Sequence, residues 1–295
     1  MADIMMTIIL KITICHRLCL LSCSINPLLM KEYNKVDQQL HLLCQVLGKA
    51  NRTYLPEKTD ESHTNLYFDP WGNKILGRWI QTGSEAVLPG LDLNTLQFEV
   101  LNLSRKQILT VSSIGKTMEE IEREFETLLP KAGLDPTGFR APMPHEIPAY
   151  AFSNLPQETI PAQALDQWKY FRKLANQSCY QFLGYALAES EVRIWPEHFD
   201  TGIYFEYAGN MGIGFGLAME DSMAGEPYFY MAGYPLNGPL VFENLPKSQT
   251  WKWELGEYWK GVILPVSVLE KAYDSLTEKI LSEYIMQNFD WYAKQ

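Results

Sequence analysis

Seven prolines between residues 130 and 161 divide the chain into two parts. Proline fixes its own φ, lacks a backbone N–H and restricts the residue before it, so a segment this rich in proline rarely forms a helix or strand. The sequence therefore predicts a linker over 131–161, between a first half over 30–130 and a second half over 162–295. The prolines are Pro130, Pro136, Pro142, Pro144, Pro148, Pro156 and Pro161.

Hydrophobic spacing predicts the same order of elements on both sides of this linker. Apolar residues recur at helical spacing over 31–48 and 162–187, while shorter segments alternate as strands do. We therefore predict an α+β fold with two antiparallel sheets, each flanked by helices, in which the order α-β-β-β-β-α occurs twice as an internal pseudo-repeat. The strands are expected near 63–69, 74–81, 95–102 and 106–113, and then near 191–195, 199–208, 211–219 and 227–234; the final helices are expected over 118–129 and 268–288.

Two short signatures mark the starts of these final helices. Thr117 with Glu120, and Ser267 with Glu270, both have the spacing of a capping box. In that motif the first side chain accepts from the backbone N–H of the third helical residue, and the acidic side chain accepts from the capping residue's own N–H. Both helices are therefore predicted to begin just after the Thr or Ser.

Composition excludes several classes of protein. The chain has 295 residues, 46% of them hydrophobic, and a formal net charge of −10. Such a chain is too apolar for disorder, and it can bury a large core. An acidic chain without a Lys/Arg cluster is not expected to bind nucleic acid, and no uncharged apolar run approaches the ~18 residues of a membrane span.

The first 29 residues are expected to lie outside the fold. Their short apolar runs are interrupted by charges, unlike the continuous apolar centre of a signal peptide, and Met30 looks like a natural start. Secretion or lipidation at Cys23 is the alternative. Only Cys44 and Cys179 lie in the body of the chain, so we expect a reducing, cytoplasmic location without a disulfide framework.

Two neighbouring predicted strands have one apolar face and one polar or glycine face. In 199–207 and in 211–219 the odd positions are almost all apolar, and the Ala-Gly-Asn between the strands is typical of a tight hairpin. Because side chains alternate across a strand, the odd faces are predicted to meet the core. The even positions then place polar side chains of the first strand beside glycines of the second.

This even face is the candidate ligand site. Glycine weakens a strand and often marks the close approach of a ligand or another backbone. Nearby imidazole and carboxylate groups are also suited to general acid–base chemistry. The alternative is that the glycines make room for aromatic side chains or a helix. The candidate residues are Glu197, His198, Asp200, Tyr204, Glu206, Gly212, Gly214, Gly216, Glu226, Tyr228 and Tyr230.

No motif indicates a metal or cofactor. The Gly-Ile-Gly-Phe-Gly of 212–216 lacks the strand-turn-helix context of a dinucleotide fingerprint. His41, His63 and His145 are scattered, and no second histidine lies near His198 in the sequence. The sequence therefore predicts neither a metal site nor a bound cofactor.

Three strings in the second half carry a resemblance to a known family. They are the Trp-Pro-Glu-His-Phe-Asp of 195–200, the glycine-phenylalanine strand of 212–216 and the Glu-Pro-Tyr-Phe-Tyr of 226–230. With weaker similarity around 40–49 and 66–68, the chain resembles a bacterial domain-of-unknown-function family over about residues 36–290. The residues 216–219 depart from the proline- and glycine-rich pattern of that family. The resemblance implies a grouping and no activity.

Two functions remain open at this point. The first is binding of a small polar ligand, with or without catalysis, on the groove of the second half. The second is a structural or protein-interaction module without catalytic activity, for which a homo-oligomer is one form, since aromatic residues make up 13% of the chain.

Overall fold

The computed structural model describes residues 27–270, 272 and 274–295. The prediction for residues 1–29 therefore lies outside the described residues, except for 27–29, which begin the first helix. Within the described ranges, no helix has both the length and the apolar character needed to cross a membrane. The helices are α1 (Pro27–Tyr54), α2 (Met118–Leu128), α3 (Ala162–Ala186), α4 (Val266–Glu270) and α5 (Asp274–Tyr292).

The first half contains one antiparallel sheet. Its strand order is β1-β2-β4-β5-β6, and β3 pairs separately with β4. Most of these strands are joined to the next by short turns, which is the arrangement that antiparallel pairing allows. The strands are β1 (Tyr67–Asp69), β2 (Lys74–Leu76), β3 (Ile80–Thr82), β4 (Glu85–Asp92), β5 (Gln97–Asn102) and β6 (Gln107–Ser112).

The second half contains another antiparallel sheet, with the order β11-β12-β10-β9-β8-β7. The predicted α+β class, with two antiparallel sheets flanked by helices, is therefore confirmed. Each sheet has six strands, two more than the sequence pattern predicted. The strands are β7 (Arg193–Ile194), β8 (Thr201–Tyr207), β9 (Met211–Ala218), β10 (Tyr228–Pro235), β11 (Lys252–Leu255) and β12 (Lys260–Pro265).

The two halves share one core. Leu66 and Ile194 exchange two backbone hydrogen bonds, of 2.9 and 2.8 Å, which join the sheets at their edges. Helices α1 and α3 pack against each other, and one continuous cluster of buried side chains includes residues of both halves. Sites formed by residues of both halves are therefore built into this architecture.

The proline-rich segment is irregular but anchored. Between the turn of 3-10 helix at Leu129–Ala132 and helix α3, the described chain has no helix or extended strand. The Arg52 side chain of α1 donates hydrogen bonds to the carbonyl oxygens of Gly138, Phe139 and Pro142, at 2.9, 2.9 and 2.6 Å. This segment therefore has a fixed place against the first half, where it forms one wall of the site described below.

One of the two predicted capping boxes is present. Glu120 N–H donates to the Thr117 hydroxyl at 3.4 Å, and Thr117 N–H donates to the Glu120 carboxylate at 2.8 Å. The prediction for Ser267 and Glu270 is wrong. There the helix begins at Val266, and the backbone N–H and hydroxyl of Ser267 donate to Glu226 at 2.8 and 2.9 Å. A distant carboxylate thus occupies the helix N-terminus, where negative charge is favourable.

A buried ion pair connects the two long helices to the second sheet. Arg172 on α3 donates to Asp37 on α1 at 2.6 Å, and both side chains are almost fully buried. Trp168 donates to the same carboxylate oxygen at 2.7 Å. The other guanidinium nitrogen donates to the Phe199 carbonyl at 2.7 Å and to the Thr201 hydroxyl at 2.9 Å. This network fixes the chain at the start of β8.

Removal of one partner of this pair tests its structural role. Arg172→Met should lower the free energy of unfolding by about 3–5 kcal/mol, because it leaves the Asp37 carboxylate buried without its counter-ion. Adding Asp37→Leu should recover part of that loss. Urea denaturation of the single and double variants measures both effects. A single-variant loss below about 1 kcal/mol, which is typical of an exposed pair, would contradict the assigned role.

Candidate functional site

The alternation predicted for β8 and β9 is present in the structure. The inward-facing residues are buried and pack against α3 and α5, as the ring contacts of Phe205 with Phe182 and Phe289 show. The opposite face carries the even-numbered residues, and in the register Tyr204 lies opposite Gly214 and Glu206 opposite Gly212. The polar and glycine positions therefore do share one face.

The turn over 195–200 positions the central carboxylate of this face. Phe199 has φ of +53°, a left-handed conformation that costs a non-glycine residue free energy and persists only where the surroundings enforce it. Its ring is fully buried, stacked on His41 with centroids 5.3 Å apart and lying 4.7 Å from the Arg172 guanidinium carbon. Since Asp200 follows directly, the strained turn sets the position of its side chain.

Helix α1 holds the other side of this turn. The carbonyl of Pro196 can only accept, so His41 donates from Nε2 at 2.8 Å and its Nδ1 accepts from the Tyr150 hydroxyl at 2.6 Å. Burial lowers the pKa of His41 to about 4, which keeps the ring neutral in this tautomer. Gln45 also donates to Pro196, at 2.8 Å, and its amide oxygen lies 3.2 Å from His145 Nε2.

Asp200 is a buried carboxylate with only one of its oxygens occupied. The residue is 8% exposed, and Oδ2 accepts from the hydroxyl of Tyr230. Oδ1 is buried and has no hydrogen-bond partner. Burial raises the pKa of Asp200, while the hydrogen bond from Tyr230 and the nearby His198 and Arg172 act in the opposite direction. The second oxygen is therefore a buried acceptor that no described donor satisfies.

Two adjoining cavities lie at this carboxylate. One has a volume of about 570 Å³ and lies over the even face of β8 and β9. The other, of about 1050 Å³, extends toward α1 and the proline-rich segment, where His41, His145 and Tyr150 line it. We call the pair the tyrosine groove. Both cavities are lined by Glu197, His198, Asp200, Tyr230 and Tyr234.

The wall of the larger cavity is acidic and aromatic. Its described lining residues include no lysine or arginine. Among the described lining residues of the smaller cavity, Arg193 is the one arginine or lysine, and the carboxylates there are Asp60, Glu197 and Asp200. Glu197 Oε2, like Asp200 Oδ1, is buried without a hydrogen-bond partner. The carboxylates of the larger cavity are Glu146, Glu197, Asp200, Glu220 and Asp221, and its aromatic residues are Tyr150, Tyr228, Tyr230, Tyr234 and Trp259.

The glycines do not form a bare floor along this groove. A Cβ at Gly212 would collide with the Tyr204 ring, which lies across it, and a Cβ at Gly216 would collide with the backbone of Thr201 and Gly202. Of the three glycines, Gly214 alone lines the groove, and there a Cβ would meet the Tyr234 ring at 3.3 Å. The packing alternative therefore explains Gly212 and Gly216, and tyrosine rings form the groove surface.

Of three other candidate residues, two lie away from the groove and one lines it. Glu206 is exposed and is absent from the described lining of either cavity. Glu226 precedes β10 and does not lie within it. Its carboxylate instead accepts a hydrogen bond at the start of α4. Tyr228 does line the larger cavity, and its hydroxyl donates to Asp221 at 2.6 Å.

Several lining residues were not among the candidates. His41 and Tyr150 come from α1 and the proline-rich segment, far from the second sheet in sequence, and no local pattern joins them to it. Along the chain the histidines are simply scattered. Within the described residues, no group of histidine, cysteine and acidic side chains has an arrangement suited to a metal ion.

Two glycine substitutions test the packing of β9. Gly216→Ala should cost about 1–3 kcal/mol of stability, because the added methyl group meets backbone that cannot move aside. Gly212→Ala is the matched control and should change stability by no more than about 0.5 kcal/mol, since the Tyr204 ring is 40% exposed and can turn away. Thermal or urea unfolding measures the stability of both variants. Equal losses of stability would contradict the conclusion that fixed backbone covers Gly216 whereas a movable ring covers Gly212.

Comparison with protein-family models, with curated proteins and with solved structures gave no match for this chain. The resemblance to a bacterial domain-of-unknown-function family therefore stays a prediction.

Proposed function

We propose that the protein binds a small organic cation, such as a primary ammonium compound, in the tyrosine groove. The observation that carries this proposal is the buried Oδ1 of Asp200, which has no hydrogen-bond partner and belongs to a residue that lines both cavities. A buried carboxylate oxygen without a hydrogen bond costs free energy, and a ligand that donates to it recovers that cost.

The charge of the groove favours a cation over a neutral donor. Carboxylates of Glu197 and Asp200 both have a buried oxygen without a partner, on the same turn. An ammonium group forms charge-assisted hydrogen bonds to carboxylates, which are shorter and stronger than neutral ones. An anion would instead meet this negative charge at close range, and the larger cavity has no described arginine or lysine to offset it.

The aromatic walls fit the same class of ligand. The ring centroids of Tyr204 and Tyr234 lie 6.2 Å apart, the Tyr234 ring lies beside Gly214, and Tyr230 and Trp259 line the adjoining wall. Tyrosine and tryptophan faces attract organic cations and also bury their apolar parts. Cavities of about 570 and 1050 Å³ correspond to the usual size of small-molecule sites.

A matched series of probes tests the proposal. Benzylammonium, benzyl alcohol and benzoate have similar size and differ in charge, and isothermal titration calorimetry measures their affinities. We expect benzylammonium to bind most tightly. Asp200→Asn should weaken it at least about 30-fold, because the amide keeps an acceptor for Tyr230 but no longer provides the negative charge.

Glu206→Gln is the control for that variant. It makes the same carboxylate-to-amide change on the same face of β8, yet the residue is exposed and outside the described lining of the groove. Its affinity for benzylammonium should equal that of the unchanged protein. Equal losses in the two variants, preferred binding of benzoate, or no binding of any probe by the folded protein would each refute the proposal.

A further inference from the structure

A cavity separate from the tyrosine groove lies on the outer face of the first sheet. Leu76, Leu88 and Leu101 form a small buried cluster there, separate from the main core, with Tyr67 packed against it. The face of an antiparallel sheet that points away from the core is normally polar. This face is instead apolar at three leucines, and two of them, Leu76 and Leu88, line a cavity.

The cavity beside these leucines has a volume of about 560 Å³. Leu76 and Leu88 form part of its wall, and Leu55 and Trp79 add further apolar surface. Trp79 is 38% exposed, so its ring lies at the opening. A mostly apolar cavity of this size with a few polar groups is typical of a small-molecule site.

Its polar groups are basic. Lys58, Arg78 and Arg105 line the cavity, and no acidic residue is among its described lining residues, although the chain has a net charge of −10. The Arg105 side chain is 62% exposed, and its Nη1 lies 4.0 Å from Asp69 Oδ2, which makes a weak ion pair. Lys58 forms no ion pair within the described residues. At least two of these positive charges are therefore available to a ligand.

Arg78 also has a donor that is not used. Its Nη2 donates to Glu191 at 2.9 Å, and its guanidinium carbon lies 5.2 Å from the centre of the Tyr67 ring. Its Nε is buried and has no hydrogen-bond partner. His63 lies beside it, and its Nδ1 accepts from the Lys58 backbone N–H at 3.3 Å. This cavity thus has an unpartnered donor, whereas the tyrosine groove has unpartnered acceptors.

We propose that this cavity is a second binding site, specific for a small amphipathic anion such as a medium-chain or aromatic carboxylate. The apolar part of the ligand packs on the leucines and Trp79, and its carboxylate accepts from Arg78 while Lys58 and Arg105 supply long-range attraction. The site is formed by residues of the first half alone. It is therefore independent of the tyrosine groove and of the function proposed for it.

Octanoate, octanamide and octylammonium test this site, again as probes that share a chain and differ in charge. Titration calorimetry on the full chain should show octanoate binding more tightly than octanamide, with octylammonium weakest. Lys58→Glu combined with Arg105→Gln should weaken octanoate about tenfold, because the changes reverse one charge and remove another near the site. Both side chains are exposed, so the fold should be retained. The attraction should also decrease in high salt.

Two further variants show whether the loss is specific to this cavity. Lys279→Gln removes an exposed positive charge on α5, away from the cavity, and should leave the octanoate affinity unchanged. Asp200→Asn should also leave it unchanged, because it alters only the tyrosine groove. Equal affinity for octanoate and octanamide, an equal loss in Lys279→Gln, unchanged octanoate binding in the double variant, or no octanoate binding by the folded protein would each overturn the proposal.

Discussion

The buried pair of Asp37 and Arg172 is the interaction on which the rest of the architecture depends. Each helix contributes one charge to a place where water cannot solvate it, so neither α1 nor α3 can shift without leaving a charge unpaired. The same guanidinium binds the Phe199 carbonyl. One residue therefore fixes the packing of the two long helices and also the turn that leads into β8.

That turn explains why the groove has an unsatisfied carboxylate. Phe199 is held in a left-handed conformation by His41 and Arg172, and the strain is offset by the burial of its ring. Asp200 is thereby kept where Tyr230 donates to one of its oxygens and no described side chain donates to the other. Such a group lowers the stability of the protein without a ligand, and we infer that it is retained for binding.

The sequence predicted the fold class and the faces of the central strands, because these follow from local periodicity. It predicted one strand over 74–81 where β2 and β3 lie. It also missed β4, where Pro89 and Gly90 interrupt the strand pattern, and β11 with β12, where tryptophans obscured the alternation. The face that carries the glycines was predicted correctly. The alternation of side chains along a strand, however, cannot show which side chain covers a glycine. The walls formed by His41 and Tyr150 depend on contacts between distant segments, which no local pattern contains.

We propose that Asp200 is a buried carboxylate whose position is set for binding a cation. The most direct measurement is a pH titration of its carboxyl carbon by NMR, in the free protein and with saturating benzylammonium. The pKa of Asp200 in the free protein should lie above the ordinary value of about 3.9, because burial disfavours the charged form. The pKa should then fall when the cation binds, since the bound charge stabilises the carboxylate. A pKa that is ordinary in the free protein, or that does not change on binding, would contradict the claim.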